Sequence, residues 1–349
     1  MKCARLPIQD PLIKGYLFFA YPHSILANEA KTYPWILSNY IQTCFDKDYA
    51  NSPVPFTFYT FDYTICPWLK HEKLYRSTVE KLSSDILSFV KNCINNKKYL
   101  YLYLDEYNVP NRKAYKKFSF IHENLVFGYD DGTSTFDILG FDEDSIFRAT
   151  TISYKQFVSA FLDVERLIQL NDIHQQLHPN SLEVFNMLHI FEINPHAHYP
   201  FNPKLVIATL KDYLESNNTS DWFAMLREPW DRVYGLECYA YIINYYESLL
   251  KDEADYDVRY LHNLWEHKML MTKRVEYMQE NKFIDLSGEV IQKFKYIEDE
   301  TFALRNNMIR YSITKDKNYI KRIISKLQEI YEMESFVIGM LIRSSENVI

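Results

Sequence analysis

The chain has 349 residues, with 46 acidic against 39 basic side chains and a formal net charge of −7; that balance argues against general nucleic-acid binding, which needs a basic face. Aromatic residues make up 16% of the chain, against only 7 Gly and 13 Pro, so core material is ample and low-complexity stretches are excluded. The length favours two domains.

No apolar run reaches the roughly 20 residues of a membrane span, and the N-terminal MKCARLPIQDPLIKGYLFFAYP is too broken by Pro and Lys for a secretory signal. Cys3, Cys44, Cys66, Cys93 and Cys238 are scattered without a CxxC pair, which disfavours structural zinc and a disulfide framework. A soluble, cytoplasmic protein with no membrane partner is expected.

Residues 1 to 24 read as irregular. Apolar positions at helical spacing predict a helix from about Asn28 to Cys44, starting near Ala27, with Pro34 delaying or bending it. PFTFYTFDY predicts a strand within 51 to 63. Pro67 is expected to open a helix whose apolar face runs from Leu74 to Ile94. YLYLYLDEY, residues 99 to 107, is a strong strand. FIHENLVFGYDDGTSTFDILGF, residues 120 to 141, reads as a hairpin turning at Asp131-Gly132, and Ser153 caps the helix that follows. Beyond Gln169 strand signals fade. Helical periods cover about 203–216, 229–251, 255–281, 286–311 and 316–344, with the Pro-rich 191–203 as a connector. The fold class is α+β, with an α+β domain over residues 1–165 and an all-helical domain over 166–349.

The residue with most chemical promise is His122, at the head of a strand ending in Gly-Tyr-Asp. A base there is rigid, and an acid on the return strand would hold its tautomer. With Asp131-Gly132 as the turn, His122 faces about Phe141, so Asp142 fits the acid. Asp137 falls opposite Val126, about 13 Å away along the strand, and is the weaker alternative. His189, His196 and His198 read as a loop cluster with no acid to complete a metal site. His262 and His267 read as exposed or interfacial, and Asp105 and Glu106 as strand-end acids able to attract an ammonium group.

The order of helix start, long helix, strand, H-x-x-x-x-x-G-Y-D and acid-bearing return strand resembles the papain-like superfamily, in its peptidase-C39-like, butirosin-biosynthesis-H-like branch. YPWILSNYIQ, CPWL, YLYLDEYNVPNRKAYKKFSFIHENLVFGYD and ISYKQFVSAF carry the resemblance, which covers the first 165 residues best. It implies a papain-like fold and amide-forming acyl transfer in non-ribosomal peptide or antibiotic assembly. A cysteine would take an acyl or peptidyl chain from the phosphopantetheine thioester of a carrier protein, and an amine or diamine would release it as an amide. His122 would serve as base, Asp142 as its orienter, and the residue 27 N–H as an oxyanion donor, with Tyr21 or Asn28 as a candidate second donor. No cofactor or metal is implied beyond the substrate's own phosphopantetheine arm.

The chain departs from that pattern at the nucleophile. The expected position is residue 27, which is Ala27. Three explanations stay open: an engineered replacement of a cysteine, a non-catalytic homologue that binds carrier-tethered chains, or a misplaced nucleophile. For the last, Cys66 is the best substitute, because a Pro-opened helix after it would lower its pKa; a peptidase or thioesterase would then be the reading.

Overall fold

The computed structural model describes residues 2–83, 85–170 and 181–345. In chain order the elements are β1 (Cys3–Arg5), α1 (Leu17–Leu26), α2 (Tyr33–Asn39), β2 (Thr43–Phe45), β3 (Phe56–Phe58), β4 (Leu69–Tyr75), α3 (Arg76–Leu82), α4 (Ile86–Asn95), β5 (Tyr99–Asp105), β6 (Ile121–Asp130), β7 (Thr135–Phe141) and β8 (Phe147–Ser153). They continue with α5 (Tyr154–Leu170), α6 (Ser181–Phe185), β9 (Met187–Ile193), α7 (Pro203–Glu215), β10 (Val233–Tyr234), α8 (Cys238–Leu250), α9 (Arg259–Glu280), α10 (Gly288–Thr314) and α11 (Asn318–Ser345). The molecule is mixed α/β, with an antiparallel sheet and a C-terminal helical region. No helix among the described residues is long and apolar enough to cross a membrane.

Two compact units divide the chain, one of residues 1–32 and 63–198, the other of residues 33–62 and 199–349. The expected boundary at residue 165 is therefore corrected in two ways. The first unit runs on to residue 198 because β9 inserts into its sheet. The second unit claims an early segment because α9 side chains bind that segment's carbonyls. Arg274 donates to Leu37 O at 2.6 Å and Tyr40 O at 2.7 Å; His267 Nε2 lies 2.7 Å from Ile41 O, and Asn263 donates to Phe56 O at 2.9 Å. Buried carbonyls need such donors, and the requirement is met across more than 200 residues of sequence.

The first unit is a sheet in the order β4-β9-β5-β6-β7-β8, with β1 extending the β5 side of β6. All its pairings are antiparallel. Leu100, Leu102, Val126, Phe136, Ile138 and Ile190 pack with Val90 and Ile94 of α4 and Phe157 and Phe161 of α5. Ser153 caps α5 as expected, and Gln156 completes the capping box: its N–H donates to Ser153 Oγ at 3.3 Å, and its Oε1 accepts from Ser153 N at 3.3 Å.

Several elements depart from expectation. The helix expected from about Asn28 to Cys44 is only α2, Tyr33–Asn39, and strand β2 follows at Thr43–Phe45. The segment expected to be irregular contains α1, in which every residue but Phe18 is buried; a helix buried all round shows no amphipathic period, and its internal Pro22 reads as a breaker. Leu69–Tyr75 is strand rather than helix, because it pairs along its whole length with Ile193–Met187. The helical period begins only at Arg76, whose buried guanidinium donates to the carbonyls of Phe161, Phe185 and Tyr103.

In the second unit, α7, α9, α10 and α11 fall close to the expected periods, whereas the period expected over 229–251 is helical only from Cys238, its start being taken by β10, which forms a small separate sheet with β2 and β3. Lys268 and Glu334 are both buried and pair at 2.6 Å, with Tyr239 also donating to Glu334 at 2.7 Å. His267 is fully buried rather than exposed.

Candidate functional site

Strand β6 begins one residue before His122, which pairs with Leu104 of β5. Strand β5 ends at Asp105, and there the chain turns sharply: Asp105 Oδ1 accepts from Tyr107 N at 3.1 Å and Phe120 N at 2.9 Å. Glu106 donates its own N–H to Phe120 O at 2.9 Å. The turn therefore places the Glu106 carboxylate beside the ring, with Oε1 at 3.1 Å from His122 Nδ1. Both of these strand-end acids are buried.

Arg112 backs this pair. Its Nε lies 3.6 Å from Glu106 Oε1, and it donates to Phe141 O at 2.9 Å and Asn124 Oδ1 at 3.2 Å. Gly140 makes room for it, since a Cβ there would stand 2.8 Å from Arg112 Nη2 and 3.3 Å from the Tyr21 hydroxyl. Opposite Glu106, the ring's Nε2 faces Glu123 Oε2 at 3.4 Å. Glu123 Oε1 in turn lies 3.4 Å from the Tyr101 hydroxyl, and Tyr101 and Tyr103 share a hydrogen bond of 3.2 Å. The His122 side chain keeps 32% of its surface open to solvent, against 8% for Glu106 and 17% for Glu123.

Burial works against the charged ring, but the hydrogen bond and charge of Glu106, joined by Glu123, outweigh it; Arg112 opposes them, and His122 titrates above its ordinary value. An ionised carboxylate only accepts. In the neutral ring, the tautomer with its hydrogen on Nδ1, toward the nearer carboxylate of Glu106, leaves the lone pair of Nε2 facing Glu123. A half-exposed imidazole oriented by a buried acid is an arrangement for moving a proton.

The structure brings neither of the two expected partners to His122. Ala27 is not at a helix start. It is the exposed C-cap of α1, its N–H donates to His23 O at 2.9 Å, and Asn28 Nδ2 covers the last carbonyls, Ser24 O and Ile25 O, at 3.0 Å each. The negative end of a helix dipole disfavours both a thiolate and an oxyanion. Tyr21 is committed elsewhere, donating to Glu123 O at 2.9 Å. Ala27 lies about 9 Å further along the axis than Tyr21 at the usual rise. The true start of α1 presents Tyr16, Leu17 and Phe18, none of them a thiol.

Asp142 lies where the hairpin register brings it level with His122. Leu125 pairs with Leu139, and three residues further on each strand are His122 and Asp142. Its carboxylate turns into its own loop instead: Oδ1 accepts from Asp144 N at 2.9 Å and Ile146 N at 2.8 Å, and Oδ2 pairs with Arg148. Burial opposes its ionisation, but the Ile146 N–H and the Arg148 charge outweigh that, and the carboxyl titrates below its ordinary value. A register shift between Val126 and Gly128 puts Asp137 opposite Gly128, about 20 Å from His122 along the strand.

Cys66 precedes a strand, not a helix, and burial pushes its thiol up to about 12 despite backbone N–H groups of Trp68 and Leu69. Cys44, Cys93 and Cys238 are buried, with thiols raised by the same cause. His189 is a buried residue of β9, its Nδ1 at 2.8 Å from His71 Nε2, while His196 and His198 lie in the loop beyond. Among the described residues no three His, Cys, Asp or Glu side chains are placed to hold a metal ion. Glu106 was legible only as a strand-end acid, and Arg112 and Glu123 carried no pattern; the β5–β6 register that gathers them depends on the 106–120 loop. No protein-family model matches this chain, and no curated protein matches its sequence.

Proposed function

We propose that this chain is an amide-forming acyltransferase that works without a cysteine acyl-enzyme, with His122 as general base and Glu106 as its positioning residue. The observation that carries the base assignment is the 3.1 Å contact between His122 Nδ1 and Glu106 Oε1 beneath a half-open ring. Acyl transfer itself rests on the resemblance of the first 165 residues to the papain-like, C39-like branch. Its substrate would be a carrier-borne thioester.

The step balances without a protein nucleophile. Neutral His122 accepts a proton from the amine through Nε2. The amine nitrogen attacks the thioester carbonyl, the C–N bond forms, the C–S bond breaks, and the leaving thiolate takes the proton back from the imidazolium. Loss of the base is expected to slow the reaction by about 10²- to 10⁴-fold.

The test mixes the protein with an acyl-pantetheine thioester and n-butylamine and follows amide by mass spectrometry. Expected is amide formation lost in His122→Ala, with no acyl mass added to the protein. An acyl group found on a cysteine, or a rate unchanged by His122→Ala, overturns the proposal. A second reading, a binder of carrier-tethered chains without turnover, is favoured by the start of α1, which offers Leu17 and Phe18 where a nucleophile would stand. Carrier-protein binding with no amide formed would select it.

A further inference from the structure

With Glu106 holding the hydrogen on Nδ1, neutral His122 turns the lone pair of Nε2 toward Glu123. Two acceptors then face one another at 3.4 Å, and neither has a hydrogen to offer. The same carboxylate touches Tyr101 only at 3.4 Å. One donor group could satisfy both acceptors at once. The charges point the same way. Arg112 lies against Glu106, at 3.6 Å, and offsets that carboxylate. When His122 is neutral it supplies no such charge to Glu123, so Glu106, Glu123 and Arg112 together leave one negative charge uncompensated beside the open edge of the ring. The tyrosines Tyr21 from α1 and Tyr101 and Tyr103 from β5 are all shifted further from ionisation by burial, and supply no positive charge.

We propose that Glu123 and His122 Nε2 form a recognition site for a primary ammonium group, with Glu123 selecting the charged amine; His122 takes its first proton and releases it to solvent, and the neutral amine then enters the acyl-transfer step. An ammonium carries three hydrogens in a compact head, so it can donate to a Glu123 oxygen and to Nε2 together. An alcohol of equal length brings one hydrogen and no charge. The fate of the bound amine rests on the acyl-transfer reading, but the binding itself stands on the geometry alone.

The experiment titrates n-butylammonium, and separately n-butanol, into histidine-labelled protein at a series of pH values from about 7 to 9, over which the alkylammonium remains charged. The His122 ring resonances, assigned through His122→Gln, are followed by NMR. Expected is a saturable shift with n-butylammonium, none with n-butanol, and at least tenfold weaker binding in Glu123→Gln. Equal responses to the two probes, no response to either, or unchanged affinity in Glu123→Gln overturns the site. Should Glu123→Gln fail to fold by circular dichroism, the two-probe comparison on the wild-type protein decides. Amide formation without ammonium binding would overturn this inference alone; ammonium binding without amide formation would overturn the acyl-transfer reading alone.

Discussion

His122 Nδ1 and Glu106 Oε1 stand 3.1 Å apart although the residues are sixteen positions apart in sequence, on the head of β6 and just past the end of β5. Local pattern pairs His122 with an acid on its own hairpin. The tertiary turn at Asp105 substitutes one from the preceding strand.

That contact sets the pH dependence. Glu106 helps raise the His122 value, so the base is neutral only above a pH higher than the ordinary value of about 6.5, and the rate should rise with pH through that raised value. In Glu106→Gln the charge is gone, the acid limb should move to lower pH, and the plateau should fall by about tenfold or more. The stability linkage has the opposite sign. Charged His122 stabilises the fold fully below its unfolded value, and the contribution is lost as pH rises through the raised folded value. Rate profiles of the two proteins from about pH 5 to 9 check the prediction.

Installing a thiol at Ala27 should not create a nucleophile. The site is an exposed helix C-cap, where the dipole opposes a thiolate. Ala27→Cys is expected to react with iodoacetamide no faster than an ordinary surface thiol and to acquire no acyl group from a thioester. Intact-mass measurement after incubation with acyl-pantetheine checks it.

Cys66 should stay silent under native conditions. Burial holds its thiol up to about 12, so almost none is thiolate at neutral pH. Alkylation of the folded protein should modify exposed Cys3 and leave Cys66 free until denaturant is added, as peptide mapping would show. Rapid native labelling of Cys66 would contradict its placement.

Arg76 should be a stability residue. Its three backbone acceptors belong to Phe161, Phe185 and Tyr103, and burial lowers its pKa to about 9. Arg76→Met leaves those carbonyls without the guanidinium and is expected to cost about 2–4 kcal/mol, read from urea unfolding. Arg76→Lys should recover little, since one ammonium does not match three acceptors fixed around a planar fork.

The buried pair in the second unit predicts a non-additive cycle. Lys268→Met strands the Glu334 carboxylate and should destabilise by about 3–5 kcal/mol. Adding Glu334→Leu removes the stranded charge and should return much of that loss. Urea unfolding of the two single variants and the double variant measures the coupling.

Sequence by itself determined the elements whose signals are local. The β5 strand, the 121–141 hairpin, the Ser153 cap and the five long C-terminal helices all follow from residue periods and turn chemistry within short windows. It also marked His122 as the residue to watch. Only the tertiary structure decided the rest. Helix α1 is buried on nearly every side and so carries no period. β4 and β9 become strands by pairing with each other across more than a hundred residues. The division into units depends on Arg274, His267 and Asn263 reaching carbonyls that no local rule connects to them. The partner of His122 was decided in the same way. Register brings Asp142 level with the ring, but loop hydrogen bonds aim its carboxylate elsewhere, while the turn at Asp105 and the missing Cβ of Gly140 bring in Glu106 and Arg112. Side-chain direction in a loop is set by long-range packing, which a spacing of residues does not encode.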